Sequence, residues 1–123
     1  MADAPVILTI DDEHDITEMI GMMLQAEGYR VIEANSVFEG MKALADEQPS
    51  AILLDIMMPG VDGMQFCRTL AENEATSGIP IVFVTALGGE ADREAALAAG
   101  AAGYLPKPFS TEQLLAELRK AMA

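Results

Sequence analysis

Short apolar segments alternate with amphipathic segments five times along the chain. The apolar segments are three to five residues long, which is the length of a strand and too short for a buried helix. The segments between them repeat apolar residues at the spacing of one helix face. Parallel strands need a long crossover connection, usually a helix, and they are buried when helices cover both faces of the sheet. The alternation therefore predicts an α/β fold with a parallel sheet between two helical layers.

The predicted elements follow from this periodicity. The five predicted strands are Val6 to Ile10, Arg30 to Ala34, Ala51 to Asp55, Ile81 to Thr85 and Gly103 to Leu105. The apolar residues expected to face inward are Ile16, Met19, Ile20, Met23 and Leu24 in the first helix, Val37, Met41 and Leu44 in the second, Met64, Cys67 and Leu70 in the third, and Leu114, Leu115, Leu118 and Met122 in the last. The fourth helix, about Ala91 to Ala99, is rich in alanine, so we expect it to pack weakly on the sheet.

Local signals mark some helix starts and one loop. Ser36 with Glu39, and Ser110 with Gln113, have the spacing of capping boxes for the second and last helices. The Pro-Gly pair at residues 59–60 predicts a loop before the third helix.

The order of the elements predicts a topology. Five β/α units with right-handed crossovers fit the flavodoxin-like (βα)5 doubly wound parallel sheet with strand order 2-1-3-4-5. The first and last helices would lie on one face and the other three on the opposite face. Ligands in such folds bind beyond the carboxyl ends of the strands, at the switch point between strands one and three. We expect one domain over residues 1–123.

The composition excludes several classes of protein. The formal net charge of -13 argues against direct binding of DNA or RNA, because that affinity comes mostly from Lys and Arg. The longest apolar runs have strand length, and Met1 to Pro5 lacks the basic and apolar parts of a secretion signal. We therefore expect no membrane span and a cytoplasmic location. Cys67 is the only cysteine and is expected to be a small apolar packing residue.

Acidic residues follow two strands that this topology makes neighbours. Asp11, Asp12 and Glu13 follow the first strand, and Asp55 ends the third. The first three also open a helix, where carboxylates are favoured as caps. Capping does not explain Asp55, because at least seven residues separate it from the next helix.

A group of carboxylates at one crevice needs compensation. Two unit charges about 4 Å apart repel by roughly 4 kcal/mol at an effective dielectric constant of 20, so the group must protonate or bind a cation. Oxygen ligands with room for water and phosphate favour Mg²⁺ over Ca²⁺. His14, the single histidine, is expected to be a solvated helix residue rather than a ligand.

Two further strand ends add polar groups at the same edge of the sheet. Thr85 closes the fourth strand with a hydroxyl, and Lys107 follows the fifth with an ammonium. Each is common in its position for structural reasons alone. Together with the carboxylates and a metal, they supply what phosphoryl transfer requires: a nucleophile, charge neutralisation and donors to the phosphoryl oxygens.

Four motifs together resemble the response-regulator receiver family over nearly the whole chain. They are Asp11-Asp12, the run from Leu54 to Gly60 with Asp62-Gly63, Thr85-Ala86, and the run from Tyr104 to Phe109. Their order, at matching strand ends, makes the resemblance highly specific.

The resemblance implies a phosphorylated aspartate. Asp55 would attack a phosphohistidine of a sensor histidine kinase or a histidine phosphotransfer protein. Asp12, Asp55 and the backbone carbonyl of Met57 would bind Mg²⁺, and Asp11 would act through a water. Such a domain catalyses only its own phosphorylation and dephosphorylation.

The resemblance also implies a switch. Thr85 and Lys107 would hold phosphoryl oxygens, and Tyr104 would change rotamer when Thr85 moves, although a partly buried aromatic on an edge strand is common without such a role. The Lys107-Pro108 bond would be cis, as only X-Pro bonds readily are. The signal would pass to a downstream protein target through the face formed by the fourth helix, fifth strand and fifth helix, with the weakly packed fourth helix responding.

Two positions depart from patterns in the family. Met57 is apolar where some relatives have a polar side chain that orients the attacking water, so we expect altered dephosphorylation. Gly103 replaces an acidic residue of one DNA-binding subfamily, which argues against the salt-bridged dimer of that subfamily.

Three other functions are compatible with parts of this sequence. An aspartate-nucleophile hydrolase would have an Asp-x-Asp motif, but Met57 occupies the position of the second aspartate. The substrate-binding cap is missing as well. A flavin-binding module needs a phosphate loop after the first strand, where residues 11–13 would repel a phosphate. The third alternative is a docking module that works without phosphorylation.

The sequence leaves the context of the domain open. The chain is either a stand-alone regulator or a receiver taken from a larger protein. Met1 and the absence of a linker after the last predicted helix favour the stand-alone form. The cognate kinase, the target and the oligomeric state do not follow from the sequence.

Overall fold

A computed structural model describes residues 4–123 of the chain. The five predicted strands and five predicted helices follow one another in the predicted order, and two short strands are added after the third strand. They are β1 (Val6–Ile10), α1 (His14–Gln25), β2 (Arg30–Ala34), α2 (Val37–Asp46), β3 (Ala51–Leu54), β4 (Met57–Met58), β5 (Val61–Asp62), α3 (Gly63–Glu72), β6 (Ile81–Thr85), α4 (Glu90–Ala98), β7 (Gly103–Pro106) and α5 (Thr111–Met122).

The central sheet has five parallel strands in the order β2-β1-β3-β6-β7. This is the predicted flavodoxin-like order, so the predicted topology is confirmed. The register aligns the carboxyl ends of the strands: Ile10 is opposite both Ala34 and Leu54, and Thr85 is opposite Pro106. Residues that follow β1, β3, β6 and β7 therefore meet at one edge of the sheet.

Two apolar cores lie on the two faces of the sheet, as predicted. On one face, α1 and α5 bury Ile20, Leu24, Leu114, Leu115 and Leu118 against the sheet residues Ile7, Leu53, Val82, Val84 and Leu105. On the other face, α2, α3 and α4 cover Leu8, Ile10, Ile52, Leu54, Ile81 and Phe83.

The predictions for α4 and for the cysteine agree with the structure. Ala96 is the one buried residue within α4, so this helix buries little apolar area against the sheet. Cys67 is fully buried in the core under α3, and burial raises the pKa of its thiol to about 11. A neutral buried thiol behaves as an apolar packing group.

The prediction that Met41 faces inward from α2 is wrong. Its side chain is 46% exposed, whereas Gly40 is buried. A Cβ on Gly40 would lie 2.6 Å from the Cδ1 of Ile10, so α2 approaches the sheet through its glycine. Val37 and Leu44 are on the same side as Gly40 and pack against the core, while Met41 is rotated about 100° away.

The segment after β3 contains a short hairpin that the sequence did not predict. Strand β3 ends at Leu54, one residue earlier than predicted, and β4 pairs with β5 in antiparallel fashion. The Pro-Gly pair at residues 59–60 forms the turn, with Gly60 at a φ of +71°. Two-residue strands are too short to produce a periodic signal.

The helix caps agree in part with the predicted boxes. Ser110 and Gln113 form a reciprocal capping box at α5. Ser36 accepts a hydrogen bond from the N–H of Glu39, but the carboxylate of Glu39 turns back to the N–H of Asn35 instead of that of Ser36. The predicted capping box of Ser36 and Glu39 is therefore only half formed.

No helix within residues 4–123 has the length and apolar character needed to cross a membrane. The prediction that the N-terminus lacks a secretion signal concerns Met1 to Pro5, of which residues 1–3 lie outside the described part.

Candidate functional site

The ends of β1 and β3 bring two aspartates together at the centre of the sheet edge. The N–H of Asp11 donates to the carbonyl of Ala34 at 3.1 Å, and the N–H of Asp55 donates to the carbonyl of Ile10 at 3.1 Å. Each aspartate thus extends the ladder of the sheet by one residue. Asp11 and Asp55 are only 2% and 4% exposed. The switch-point rule predicted their meeting, and the structure brings them together.

Three carboxylates form the cluster at this edge. One oxygen from each of Asp11, Asp12 and Asp55 lies within 4.8 Å of the others. Oδ1 of Asp11 accepts a hydrogen bond from the N–H of Glu13 at 2.9 Å, and Oδ1 of Asp55 accepts one from the N–H of Met57 at 3.1 Å. The local loop therefore fixes Oδ1 of each buried aspartate, and Oδ2 remains for contacts across the cluster.

Lys107 reaches this cluster from the loop after β7. Its Nζ lies 2.8 Å from Oδ2 of Asp11, 3.5 Å from Oδ2 of Asp55 and 3.5 Å from Oε1 of Glu13. The N–H of Lys107 donates to the carbonyl of Thr85 at 2.8 Å, which anchors the lysine to β6. The Lys107-Pro108 bond is cis, as the resemblance implied.

The electrostatics of the cluster favour a bound cation. Burial raises the pKa of Asp55, and the charge of Asp11 raises it further, while the Met57 N–H and Lys107 act in the opposite direction. Burial lowers the pKa of Lys107, but its hydrogen bond to Asp11 and the nearby carboxylates outweigh burial and raise the pKa overall. The lysine therefore remains charged, yet this one ammonium contacts three carboxylates, and Asp12 adds a fourth to the group.

The donor set fits Mg²⁺. The groups that converge are carboxylate oxygens, which a hard cation prefers, and Asp12 is exposed, so an ion has access from solvent. Within residues 4–123, the carboxylate of Asp12 forms no hydrogen bond or ion pair and is free to bind. His14 is not part of this cluster, because its exposed ring faces Asn35 and Glu18.

Thr85 and Tyr104 meet at a neighbouring loop rather than in the carboxylate cluster. The fully buried hydroxyl of Thr85 accepts a hydrogen bond from the N–H of Leu87 at 3.3 Å. The hydroxyl of Tyr104 donates to the carbonyl of Leu87, and the ring is buried. Both predicted switch residues are thus connected through Leu87, in the loop between β6 and α4. Thr85 lies at the expected sheet edge, but its hydroxyl is bound to backbone.

Two residues of the site were missed in the sequence. The side-chain amide of Asn35, just after β2, donates to the carbonyl of Asp11 at 3.0 Å. Gly63 opens α3 directly against the chain that follows β3, where an added Cβ would lie 2.6 Å from the Cα of Ile56. Asn35 follows a strand at the same edge as Thr85 and Lys107, so the strand-end argument would have selected it.

A model of the response regulator receiver domain matches residues 7–119 of the chain. The chain belongs to the response regulator receiver family. Receiver domains are signalling proteins rather than enzymes in the usual sense, so the hydrolase and flavin-binding alternatives are not supported.

Known proteins similar to this receiver domain include regulators from several bacteria. The phosphate regulon transcriptional regulatory protein PhoB of Pseudomonas aeruginosa is 41% identical over 113 residues, which cover 92% of this chain and 49% of PhoB. The chain spans about half the length of the curated relatives it matches.

Solved structures give the same fold. The chemotaxis protein CheY4 of Vibrio cholerae superimposes with a TM-score of 0.89 at 29% identity, covering 98% of this receiver domain and 99% of that chain. A response regulator protein from Burkholderia pseudomallei, with a phosphorylated aspartic acid, calcium ion and citrate, gives a TM-score of 0.83 at 26% identity and covers 93% of this chain and 66% of that one.

Proposed function

We propose that this receiver domain accepts a phosphoryl group on Asp55 from a phosphohistidine of a sensor histidine kinase or a histidine phosphotransfer protein, in a reaction that depends on Mg²⁺. The observation that supports this best is the position of Asp55. Asp55 is buried in the carboxylate cluster with its Oδ2 3.5 Å from the Lys107 ammonium, whereas Oδ2 of the other buried carboxylate, Asp11, is already paired with that ammonium at 2.8 Å. The similar Burkholderia protein contains a phosphorylated aspartic acid and a divalent cation, which is consistent with this chemistry.

The metal ligands we propose are the carboxylates of Asp12 and Asp55 and the backbone carbonyl of Met57, with Asp11 acting through a water. When bound, Mg²⁺ supplies positive charge that lowers the repulsion between the carboxylates and the incoming phosphoryl group. The free carboxylate of Asp12 and the second oxygen of Asp55 are suited to this role. Oδ1 of Asp55 is held by the N–H of Met57, which orients the carboxylate for attack.

The transfer step needs little from the protein besides positioning and charge. A carboxylate oxygen of Asp55 forms a bond to phosphorus while the bond from phosphorus to the histidine nitrogen breaks, and the histidine leaves with the electron pair. Lys107 is within 3.5 Å of Oδ2 of Asp55, so its ammonium can donate hydrogen bonds to the phosphoryl oxygens of the product. To do so it must exchange part of its contact with Asp11.

The switch we propose uses Thr85 and Tyr104. In the structure, both hydroxyls are bound to the backbone of Leu87. A phosphoryl group on Asp55 offers Thr85 a charged acceptor, which is stronger than a neutral one. Movement of Thr85 would free the N–H of Leu87 and allow Tyr104 to change rotamer. To change the ratio of active to inactive conformations from 1:99 to 99:1, phosphorylation must favour the active conformation by about 5.5 kcal/mol.

The output surface we propose consists of α4, β7 and α5. Strand β7 is at the edge of the sheet and carries Tyr104, and α4 buries only Ala96 within its length. A downstream protein would therefore bind a surface that includes the edge strand of Tyr104 and the weakly packed α4. The cytoplasmic location and the single domain over residues 1–123 stay predictions.

The test is direct phosphorylation with a small donor. The protein is incubated with Mg²⁺ and phosphoramidate, and intact mass is measured. We expect one added phosphoryl group in the wild type, none in Asp55→Asn, and none when Mg²⁺ is replaced by a chelator. Phosphorylation of Asp55→Asn at the wild-type rate would contradict the proposal. If the domain is instead a docking module that works without phosphorylation, the Asp55→Ala variant should bind the partner as tightly as the wild type does.

A further inference from the structure

The side chain of Asn35 connects β2 to the loop that carries the acidic cluster. Its Nδ2 donates two hydrogen bonds, to the carbonyl of Asp11 at 3.0 Å and to Oγ1 of Thr17 at 3.0 Å. Its Oδ1 faces Nδ1 of His14 at 3.2 Å. Both ends of the amide therefore bind the segment from Asp11 to Thr17, which includes the exposed Asp12.

The orientation of the amide is determined by its partners. The carbonyl of Asp11 can only accept a hydrogen bond, so the NH₂ group of Asn35 must face it. A flipped amide would place two oxygens about 3 Å apart and would lose this bond. Donation by the NH₂ group is thus the essential property of this residue.

Other contacts fix the same loop to β2 and to α1. The N–H of Asp11 donates to the carbonyl of Ala34, so the backbone of Asp11 is held on both its N–H and its carbonyl. The fully buried Thr17 donates its hydroxyl to the carbonyl of His14 at 3.0 Å while accepting from Asn35. Asp12 lies between these anchors and has no side-chain partner of its own within residues 4–123, so the position of its backbone decides how its carboxylate can approach the cluster.

We propose that Asn35 is a positioning residue for the Mg²⁺ site. By holding the carbonyl of Asp11, its amide keeps the carboxylates of Asp11 and Asp12 directed toward that of Asp55. The inference rests on the proposed function, because it requires Mg²⁺ to bind at this cluster. Groups that orient metal ligands from behind typically change metal affinity by about 10- to 100-fold when they are removed.

The test compares Mg²⁺ affinity in variants whose charge and shape are matched. Asn35→Asp keeps the shape and the acceptor but cannot donate to the carbonyl of Asp11. Asn73→Asp is the control, because it adds the same charge at the end of α3, near the opposite edge of the sheet, and can still accept from the N–H of Ala75 as Asn73 does. Asn35→Ala is a second variant without added charge.

Electrostatics alone and the positioning role predict opposite results. A new negative charge beside the cluster would by itself tighten Mg²⁺ binding. Loss of the donor should instead weaken it, by about tenfold in both Asn35→Asp and Asn35→Ala, when calorimetric titration at pH 7 is used. Unfolding temperatures without metal, measured in parallel, separate this effect from a loss of stability.

The outcomes distinguish the inference from the function on which it rests. If the wild type binds Mg²⁺ and Asn35→Asp binds it as tightly as Asn73→Asp does, the positioning role is wrong and the proposed function is unaffected. If the wild type does not bind Mg²⁺ at millimolar concentration, the proposed metal site fails and the inference fails with it. Weaker binding in both Asn35 variants, with folding intact, supports the positioning role.

Discussion

The ammonium of Lys107 lies 2.8 Å from Oδ2 of Asp11, in a contact where the two side chains are 13% and 3% exposed. Because both side chains are largely buried, removing one of them leaves the other charge without its partner, which is costly. The pair joins the loop after β7 to the end of β1, which are distant in sequence. In the unphosphorylated protein, Lys107 thus balances part of the charge of the acidic cluster.

Replacing this lysine should destabilise the metal-free protein. Lys107→Met removes the cation and leaves the buried carboxylates of Asp11 and Asp55 without it, so we expect a loss of about 3 kcal/mol in the free energy of unfolding at pH 7. Mg²⁺ should restore part of this stability, because it neutralises the same carboxylates. Urea denaturation with and without Mg²⁺ measures both effects. Lys42→Met, on the exposed face of α2, is the control and should change stability little. Equal losses of stability in the two variants would refute the claim that Lys107 stabilises the buried carboxylates.

The raised pKa of Asp55 predicts how stability depends on pH. Because its pKa in the folded state is raised, the stability that Asp55 contributes is fully present below the pKa of an ordinary aspartate and is lost as pH rises through the folded value. Asp55→Asn removes this loss. The variant should therefore melt a few degrees above the wild type at pH 7 without metal, and the difference should vanish near pH 3.

The thermal comparison of the two proteins also has a metal control. Mg²⁺ should raise the unfolding temperature of the wild type and close the gap to Asp55→Asn, since ligands that bind the folded state stabilise it. A variant that melts below the wild type at pH 7 in the absence of metal would contradict the role of burial in raising the pKa of Asp55.

The close approach of α3 to the segment that follows β3 requires Gly63, which has no Cβ. A Cβ at this position would lie 2.6 Å from the Cα of Ile56 and 2.9 Å from the carbonyl oxygen of Asp55, and backbone cannot move aside as a side chain does. Gly63→Ala should lose roughly 1 to 3 kcal/mol of stability and slow phosphorylation of Asp55. Gly78→Ala is the matched control, because nothing lies within 4 Å of its added Cβ. Chemical denaturation measures the free energy of unfolding of both variants. Equal stability would contradict this prediction, because it would show that the segment after β3 can move to accept a Cβ.

The exposed side chain of Met57 predicts the lifetime of the phosphorylated form. It is 57% exposed beside Asp55 and has no polar group to orient a water molecule. Met57→Asn supplies an amide there, so we expect loss of the phosphoryl group to become several-fold faster. Intact mass, followed over time after removal of the donor, measures the decay. Equal lifetimes in the two proteins would refute this role.

The sequence predicted the features that depend on periodicity and on strand ends. Five apolar strands with helical crossovers were sufficient for the sheet order. The switch-point rule then selected Asp11 and Asp55, and the end of the fifth predicted strand added Lys107. These predictions succeeded because a parallel sheet aligns its carboxyl ends whatever the details of side-chain packing.

The predictions that failed depend on distances between elements. Met41 was assigned to the core because apolar spacing alone cannot show that α2 approaches the sheet through Gly40. The hairpin of β4 and β5 is too short to give a pattern. The position of Asn35 after β2 follows from the strand-end argument, but its hydrogen bond to the backbone of Asp11 depends on how closely the two loops approach each other.

The most direct test of the account is a crystal structure of the protein with Mg²⁺ and beryllofluoride, which mimics a phosphoryl group on a carboxylate. We expect beryllium bonded to a carboxylate oxygen of Asp55, Mg²⁺ bound by Asp12 and Asp55, the hydroxyl of Thr85 turned from Leu87 toward the fluorides, and Lys107 within hydrogen-bond distance of them. Beryllofluoride attached elsewhere, or Asp55 unmodified with Mg²⁺ absent from the acidic cluster, would contradict the proposal that these side chains act on one phosphoryl group.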